Sequence, residues 1–157
     1  LRWFGYAGAA LLLMVGVGFN LYQSKGDFAN SDSHSLFSGS SHWLAQNTPK
    51  DSIVFQTDWD DFGRLFHFDS NNIYIVGLDP TYLSLANKPL YDEWVDLTQG
   101  RGEDDWAAQI KRDFKACYAI TDLKHAKFIS RADKDPKFLQ VYKDDNSAVY
   151  KFCKLDG

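Results

Sequence analysis

The order of apolar and polar positions along the chain predicts strands that alternate with helices. Three short apolar runs have the length of strands, at residues 52–57, 72–78 and 116–121. Apolar side chains recur at three- or four-residue steps between them, at residues 58–68, 82–98 and 103–115. This alternation favours an α/β domain with a mostly parallel sheet and helices on both faces, a three-layer α/β/α arrangement.

The flanking segments complete the predicted domain. Residues 138–142 and 147–152 alternate in polarity around a polar turn, which predicts a C-terminal antiparallel β-hairpin. A short helix is expected at residues 125–132. We expect the α/β domain to cover residues 52–157, after a juxtamembrane linker and a first helix at residues 24–51 that ends before Pro49.

The N-terminal segment predicts a transmembrane helix at residues 1–23. Residues 3–22 carry no charge, and about 20 residues suffice to cross ~30 Å of hydrocarbon as a helix. Trp3 and Tyr22 lie near its ends, where aromatic anchors are common, and Arg2 places the N-terminus in the cytoplasm by the positive-inside rule. The domain is therefore expected to face the periplasm or exterior. A signal peptide and a buried helix are alternatives.

Charge and cysteine content narrow the function classes. The net charge is −4 and no stripe of Lys and Arg is seen, which argues against nucleic-acid binding. Cys117 and Cys153 do not have the spacing of a zinc site. Two buried free thiols are the favoured interpretation, and a disulfide is the alternative if the domain lies outside the cytoplasm.

An acidic, aromatic loop after the first strand is the main candidate site. It contains Asp58, Trp59, Asp60 and Asp61. Clustered carboxylates bind hard divalent cations, so Asp58 and Asp60 are candidate metal ligands. A solvated helix N-terminus, capped by the same carboxylates, is the favoured alternative.

Aspartates also follow the other two strands, at Asp79 and Asp122. Because ligands bind beyond the carboxyl ends of parallel strands, Asp58, Asp79 and Asp122 are expected to share one edge of the sheet. Asp79 is equally suited to cap the helix that Pro80 begins. His125, three residues after Asp122, would form an Asp–His pair suited to general-base chemistry, but no Ser or Cys nucleophile elbow accompanies it.

Two further side chains are candidates for ligand binding. His67 follows Asp60 by about two helical turns and would lie on the same helix face. Tyr82 could stack on a sugar ring, although its spacing also suits a core position. All these residues are predicted to contact a substrate or partner rather than to form a complete catalytic centre.

Several stretches resemble the C-terminal part of bacterial GT-C-type membrane glycosyltransferases, the oligosaccharyltransferase and protein-mannosyltransferase relatives. They are WLAQNTP at residues 43–49, SIVF at 52–55, TDWDDF at 57–62, YIVGLDPTY at 74–82 and the hairpin at 141–152. Gly63 departs from the pattern, which has Pro at that place. The resemblance covers most of the chain.

The resemblance implies a parent that transfers sugar from a polyprenyl-phosphate donor to a glycan or protein acceptor in the bacterial cell membrane. The catalytic carboxylate of that group belongs to an early loop between membrane helices, so no catalytic residue is expected in this chain. It would supply the last membrane helix, in contact with the lipid bilayer, and an acceptor-side domain without a cofactor. A divalent cation would belong to the parent. The alternatives are a non-catalytic assembly module of a membrane complex and a metal-dependent GT-A-like transferase that uses Asp58 and Asp60.

Overall fold

The structure, a computed structural model, describes residues 2–30 and 33–153 of the chain. It divides into two units, Leu1–Ser33 and His34–Gly157. The first unit contains one helix, α1 (Arg2–Asn30). The second contains all the strands and the remaining helices of the described residues.

Helix α1 does not meet the requirements of a membrane span. In the described part of the chain, no helix is both long enough and apolar enough to cross a membrane. The predicted transmembrane helix is therefore wrong, and so is the predicted single-span location in the bacterial cell membrane with the domain facing the periplasm or exterior. The prediction relied on the lack of charge, but uncharged Gly, Tyr and Asn gain little from transfer to hydrocarbon. Asn20, for example, donates its side-chain amide to the carbonyl of Gly16 within the helix.

The second unit is built on a five-stranded mixed sheet. Its strands are β1 (Ile53–Gln56), β2 (Ile73–Tyr74), β3 (Tyr118–Asp122), β4 (Leu139–Lys143) and β5 (Ser147–Lys151), in the order β2-β1-β3-β5-β4. Strand β1 is parallel to β2 and β3, whereas β5 is antiparallel to both β3 and β4. The predicted hairpin is present, but it extends the sheet from β3 with two antiparallel pairings. The mostly parallel sheet is therefore wrong.

Helices cover both faces of this sheet. They are α2 (Ser38–Asn47), α3 (Phe62–Phe68), α4 (Thr81–Ala86), α5 (Lys88–Thr98), α6 (Trp106–Phe114) and α7 (Ala126–Ala132). Successive strand residues point to opposite faces. Phe55 packs with residues of α5, α6 and α7 on one face, and its neighbour Val54 packs with residues of α2 and α3 on the other. Two apolar cores therefore enclose the sheet.

Strand β2 is much shorter than the apolar run that predicted it. Only Ile73 and Tyr74 pair with β1, and the chain then leaves the sheet. The buried Gln56 side chain continues the contact, because its Nε2 donates to the Val76 carbonyl and its Oε1 accepts from the Val76 N–H at 3.5 Å. Trp94 of α5 donates its indole N–H to the Gln56 carbonyl at 3.0 Å. Side chains thus replace the strand pairing that the sequence predicted.

A disulfide links the residue that precedes β3 with a residue that follows β5. The Cα atoms of Cys117 and Cys153 are 5.0 Å apart, and 36 positions separate them in sequence. The backbone adds a contact here, since the Phe152 N–H donates to the Cys117 carbonyl at 3.1 Å. The two cysteines are bonded rather than free thiols, and they join neighbouring antiparallel strands at one end.

Candidate functional site

The candidate site lies where the neighbouring parallel strands β1 and β3 end. The pairing of Gln56 with Ile120 continues into two Thr-Asp dipeptides, residues 57–58 and 121–122. Thr57 Oγ1 donates to Thr121 Oγ1 at 2.9 Å, and both threonines are buried. This hydroxyl pair fixes the two strand ends beside each other, so the aspartates that follow both threonines leave the sheet at the same edge.

His125 lies between the two aspartates. Its Nδ1 is 2.6 Å from Asp122 Oδ1, and its Nε2 is 3.7 Å from Asp58 Oδ2. Asp122 Oδ1 also accepts the backbone N–H groups of Lys124 at 3.1 Å and His125 at 3.2 Å, just before α7 begins. Three donors therefore orient the Asp122 carboxylate, and the imidazole connects it to Asp58.

The charges of this pair support each other. The hydrogen bond from Asp122 raises the pKa of His125 against the opposing effect of burial, and the charges of Asp122, Asp58 and Asp61 add to it. Burial alone would raise the pKa of Asp122, but the hydrogen bond and charge of His125 and the backbone N–H groups lower it overall. An imidazolium paired with a carboxylate is therefore the favoured state near neutral pH.

Asp61 is a buried carboxyl group in the same cluster. Only 5 % of its surface is exposed, and burial raises its pKa from 3.8 to about 7. The negative charges of Asp60, Asp122 and Asp58 raise it further, whereas Arg64, whose Nη1 donates to Asp61 Oδ1 at 3.4 Å, lowers it. Asp61 therefore carries a proton for part of the time at neutral pH.

Three side chains of the same loop face the solvent. The Trp59 residue is 40 % exposed, the Asp58 side chain is 38 % exposed, and Asp60 is exposed as well. An indole ring therefore adjoins two carboxylates on the accessible rim, above the buried Asp61 and Asp122. We call the six residues Asp58, Trp59, Asp60, Asp61, Asp122 and His125 the acidic edge. It offers hydrogen-bond acceptors and an aromatic face.

The other predicted site residues have different surroundings. His67, at the end of α3, is exposed, and its ring packs on Phe68 with the centroids 4.9 Å apart. Asp79 is exposed and accepts the backbone N–H of Thr81 at 2.8 Å, as a residue that starts α4 does. Tyr82 on α4 is 76 % exposed. None of the contacts within the described residues joins these three side chains to the acidic edge.

The metal-ligand hypothesis for Asp58 and Asp60 stays a prediction. Among the described residues, no group of three or more His, Cys, Asp or Glu side chains has an arrangement that could hold a metal ion. The exposed rim leaves both aspartates accessible to a cation from solvent. Their arrangement does not supply a third protein ligand.

The sequence interpretation missed what places the acidic edge. It identified Asp58 and Asp122 separately but did not notice that Thr precedes each of them, at Thr57 and Thr121. The repeated Thr-Asp dipeptide after two strands was the available signal, since equal positions on neighbouring parallel strands lie side by side. The burial of Asp61 carried no such signal.

Comparisons with known proteins add no family to this description. No protein-family model, curated protein or solved structure matches the chain. The resemblance to GT-C-type transferases remains a prediction from short stretches of sequence. The function therefore has to be argued from the acidic edge itself.

Proposed function

We propose that the acidic edge is a recognition site for a glycan, and that the His34–Gly157 unit acts as a binding module rather than an enzyme. One observation carries this proposal. The partly exposed Trp59 ring adjoins the Asp58 carboxylate, which His125 approaches from the protein side at 3.7 Å. An aromatic surface next to an oriented acceptor is the combination that a sugar ring requires.

The chemistry of each part fits a hydroxyl-rich ligand. The apolar face of a sugar ring can stack on the indole of Trp59, because an aromatic side chain supplies a large rigid contact area. The hydroxyl groups at the ring edge can donate to Asp58 and Asp60, whose ionised carboxylates only accept hydrogen bonds. Charge-assisted hydrogen bonds of this kind are shorter and stronger than neutral ones.

The same geometry argues for binding rather than catalysis. Both ring nitrogens of His125 face carboxylates, so the imidazole is engaged on both sides and is a poor candidate for a general base. The two hydroxyls in the described part of the site, those of Thr57 and Thr121, bond to each other and are buried. Neither is available as a nucleophile.

The GT-C resemblance supports the class of ligand. Transferases of that type join a sugar from a polyprenyl-phosphate donor to a glycan or protein acceptor, and the resemblance assigns this chain to the acceptor side. A glycan at the acidic edge would then be the acceptor or the growing product. The chemical step would belong to another part of the parent protein.

Calorimetric titration of the full chain with neutral oligosaccharides of different composition tests this proposal. We expect binding by at least one of them, and Trp59→Ala should weaken it at least tenfold because the stacking surface is lost. Tyr82→Ala is the matched control, since it also removes an exposed aromatic ring but lies outside the acidic edge. Asp58→Asn should weaken the same binding without removing the ring.

Two outcomes would contradict the glycan proposal. One is the absence of binding heat with every oligosaccharide, and the other is an equal loss of affinity in Trp59→Ala and Tyr82→Ala. The clustered carboxylates also favour a second candidate, a docking site for a basic segment of a protein partner in an assembly. Binding of that kind would weaken steeply with added salt, whereas stacking of a neutral sugar on Trp59 would be almost insensitive to salt.

A further inference from the structure

Helix α7 borders a cavity outside the acidic edge. The cavity has a volume of about 930 Å³ and lies between α7, the end of α5 and the segments around residues 104–105 and 134–137. Volumes of roughly 300–1,000 Å³ are typical of sites for small molecules. Gln99 and Gly100 line it on the α5 side, and Ser130 lines it from α7.

Four cationic side chains line this cavity, namely Lys127, Arg131, Lys134 and Lys137. Lys127 and Arg131 are one helical turn apart on α7, and Lys134 follows within the next turn. The chain as a whole has a net charge of −4, so this concentration of positive charge is a local feature. It was not recognised in the sequence, because the cations come from a helix and from the loop that follows it.

Three of these cations have no carboxylate partner among the described residues. Lys137 pairs with Asp105 at 2.6 Å, but no salt bridge within the described chain involves Lys127, Arg131 or Lys134. The guanidinium of Arg131 donates to the carbonyl oxygens of Gly100, at 3.4 Å, and of Glu103, which are neutral acceptors. Its positive charge therefore remains available to an anion.

Contacts around Arg131 fix the position of its guanidinium group. The group lies over the Trp106 ring, with the Cζ atom 5.3 Å from the ring centroid. Stacking and hydrogen bonds to the backbone restrict the side chain before a ligand binds, which lowers the entropic cost of binding. Arg131 is thus a preformed part of the cavity wall, whereas Lys127 and Lys134 are exposed.

A second hollow of about 480 Å³ adjoins the first across α7. Ala126, Ser130 and Lys134 line both, and Lys143 of β4 adds a further cation to the second. The Ser130 hydroxyl and the Lys134 ammonium group therefore lie on a ridge that is accessible from both sides. We call the two hollows and this ridge the basic groove.

We propose that the basic groove binds the phosphate group of a phosphorylated sugar or a similar phosphorylated polyol. Lys127, Arg131 and Lys134 supply the charge that a phosphate requires, and Ser130 supplies a hydroxyl donor. The rim also carries the carboxylates of Asp104 and Asp135, which repel a second phosphate but accept hydrogen bonds from hydroxyl groups. One phosphate with attached hydroxyl groups satisfies both kinds of side chain. This site does not depend on the glycan proposal, because the two share no residue.

The test uses the full chain with glucose 6-phosphate, glucose and inorganic phosphate as probes, measured by calorimetry and by shifts of assigned amide NMR signals. Glucose 6-phosphate is expected to bind at least threefold more tightly than inorganic phosphate, and to shift the amide signals of Ser130 and Lys134. Glucose alone should leave those signals unchanged. Affinity for the phosphorylated probes should fall as salt is added.

The double variant Lys127→Gln/Lys134→Gln is expected to weaken glucose 6-phosphate binding at least tenfold. Both lysines are exposed, so the fold should be retained. Lys50→Gln/Lys111→Gln, which removes two exposed lysines elsewhere, is the matched control and should change the affinity less than twofold. Equal losses in the two double variants, or no shift at Ser130 and Lys134, would overturn the site. Equal affinity for inorganic phosphate and glucose 6-phosphate would overturn the sugar part of the proposal.

Discussion

His125 Nδ1 lies 2.6 Å from Asp122 Oδ1, and this contact ties the start of α7 to the end of β3. The imidazole side chain is only 18 % exposed, and its Nε2 faces Asp58 at 3.7 Å. A charged histidine is therefore held by two carboxylates from different strand ends. The contact is both part of the acidic edge and a link between two elements of the fold.

The first prediction concerns the pH dependence of this link. The hydrogen bond to Asp122 raises the pKa of His125, so its stabilising effect is fully present below about pH 6.5, the ordinary histidine pKa. The effect is lost as the pH rises through the higher pKa of the folded state. The difference in unfolding free energy between wild type and His125→Gln should therefore be larger at pH 6 than at pH 9 in urea denaturation.

His67→Gln is the control for this measurement. His67 is exposed, and its printed neighbour is the Phe68 ring rather than a carboxylate. Its effect on the unfolding free energy should be similar at the two pH values. If His125→Gln also showed no change between pH 6 and pH 9, the charged pair with Asp122 would be disproved.

The second prediction concerns Asp61, for which the sign is opposite. Burial raises its pKa to about 7, so ionisation of this carboxyl group opposes folding as the pH rises from about 4 to 7. Asp61→Asn removes the ionisation and should stabilise the protein increasingly over that range, with a plateau above it. At 1.36 kcal/mol per pKa unit, the gain at pH 8 has an upper value of about 4 kcal/mol.

Denaturation of Asp61→Asn and wild type at several pH values measures this gain. Asp60→Asn is the control, because Asp60 precedes Asp61 on the same loop but is exposed. It should give a much smaller gain. A gain for Asp61→Asn that did not grow between pH 4 and pH 8 would show that the buried carboxyl group keeps an ordinary pKa.

The third prediction concerns the amide of Gln56. Its side chain satisfies the buried backbone groups of Val76, which no strand pairing reaches. Gln56→Met keeps the size and length of the side chain but leaves the Val76 carbonyl without its donor. An unsatisfied buried group costs about 1–3 kcal/mol, and urea denaturation should show a loss of that size. Gln140→Met, an exposed glutamine on β4, should cost less than about 0.5 kcal/mol.

The fourth prediction concerns the disulfide. The 36-position separation of Cys117 and Cys153 corresponds to a stabilisation of about 4 kcal/mol by restriction of the unfolded chain. A reductant should therefore lower the midpoint of thermal unfolding. The Cys117→Ala/Cys153→Ala variant should unfold at a similarly low temperature with or without reductant. An unchanged midpoint for the reduced wild type would show that the bond adds no stability.

The sequence predicted the elements whose structure depends on local pattern. The apolar run that forms β1 and the alternating residues of β4 and β5 were assigned correctly, because neighbouring positions alone decide which side chains are buried. The run at residues 72–78 was assigned as one strand, but its end depends on Gln56, which lies 20 positions away. Periodicity contains no information about such a contact.

The candidate site was predicted in part for the same reason. Asp58, Asp122 and His125 were identified from their places after strands and from their spacing. The contact between them depends on the parallel register of β1 and β3, which the sequence suggested only through the unrecognised Thr-Asp repeat. The basic groove was missed because its walls come from α5, α7 and two loops. The membrane span was wrongly predicted because lack of charge was treated as apolarity.

The disulfide between Cys117 and Cys153 also determines how the chain would respond to force. If the two ends of the protein were pulled apart, tension would pass through the sulfur atoms and bypass the strands β3, β4 and β5. Those residues would bear no load, although they form most of the sheet. At about 3.4 Å per extended residue, the 36 bypassed positions would shorten the stretched chain by roughly 120 Å until a reductant releases them.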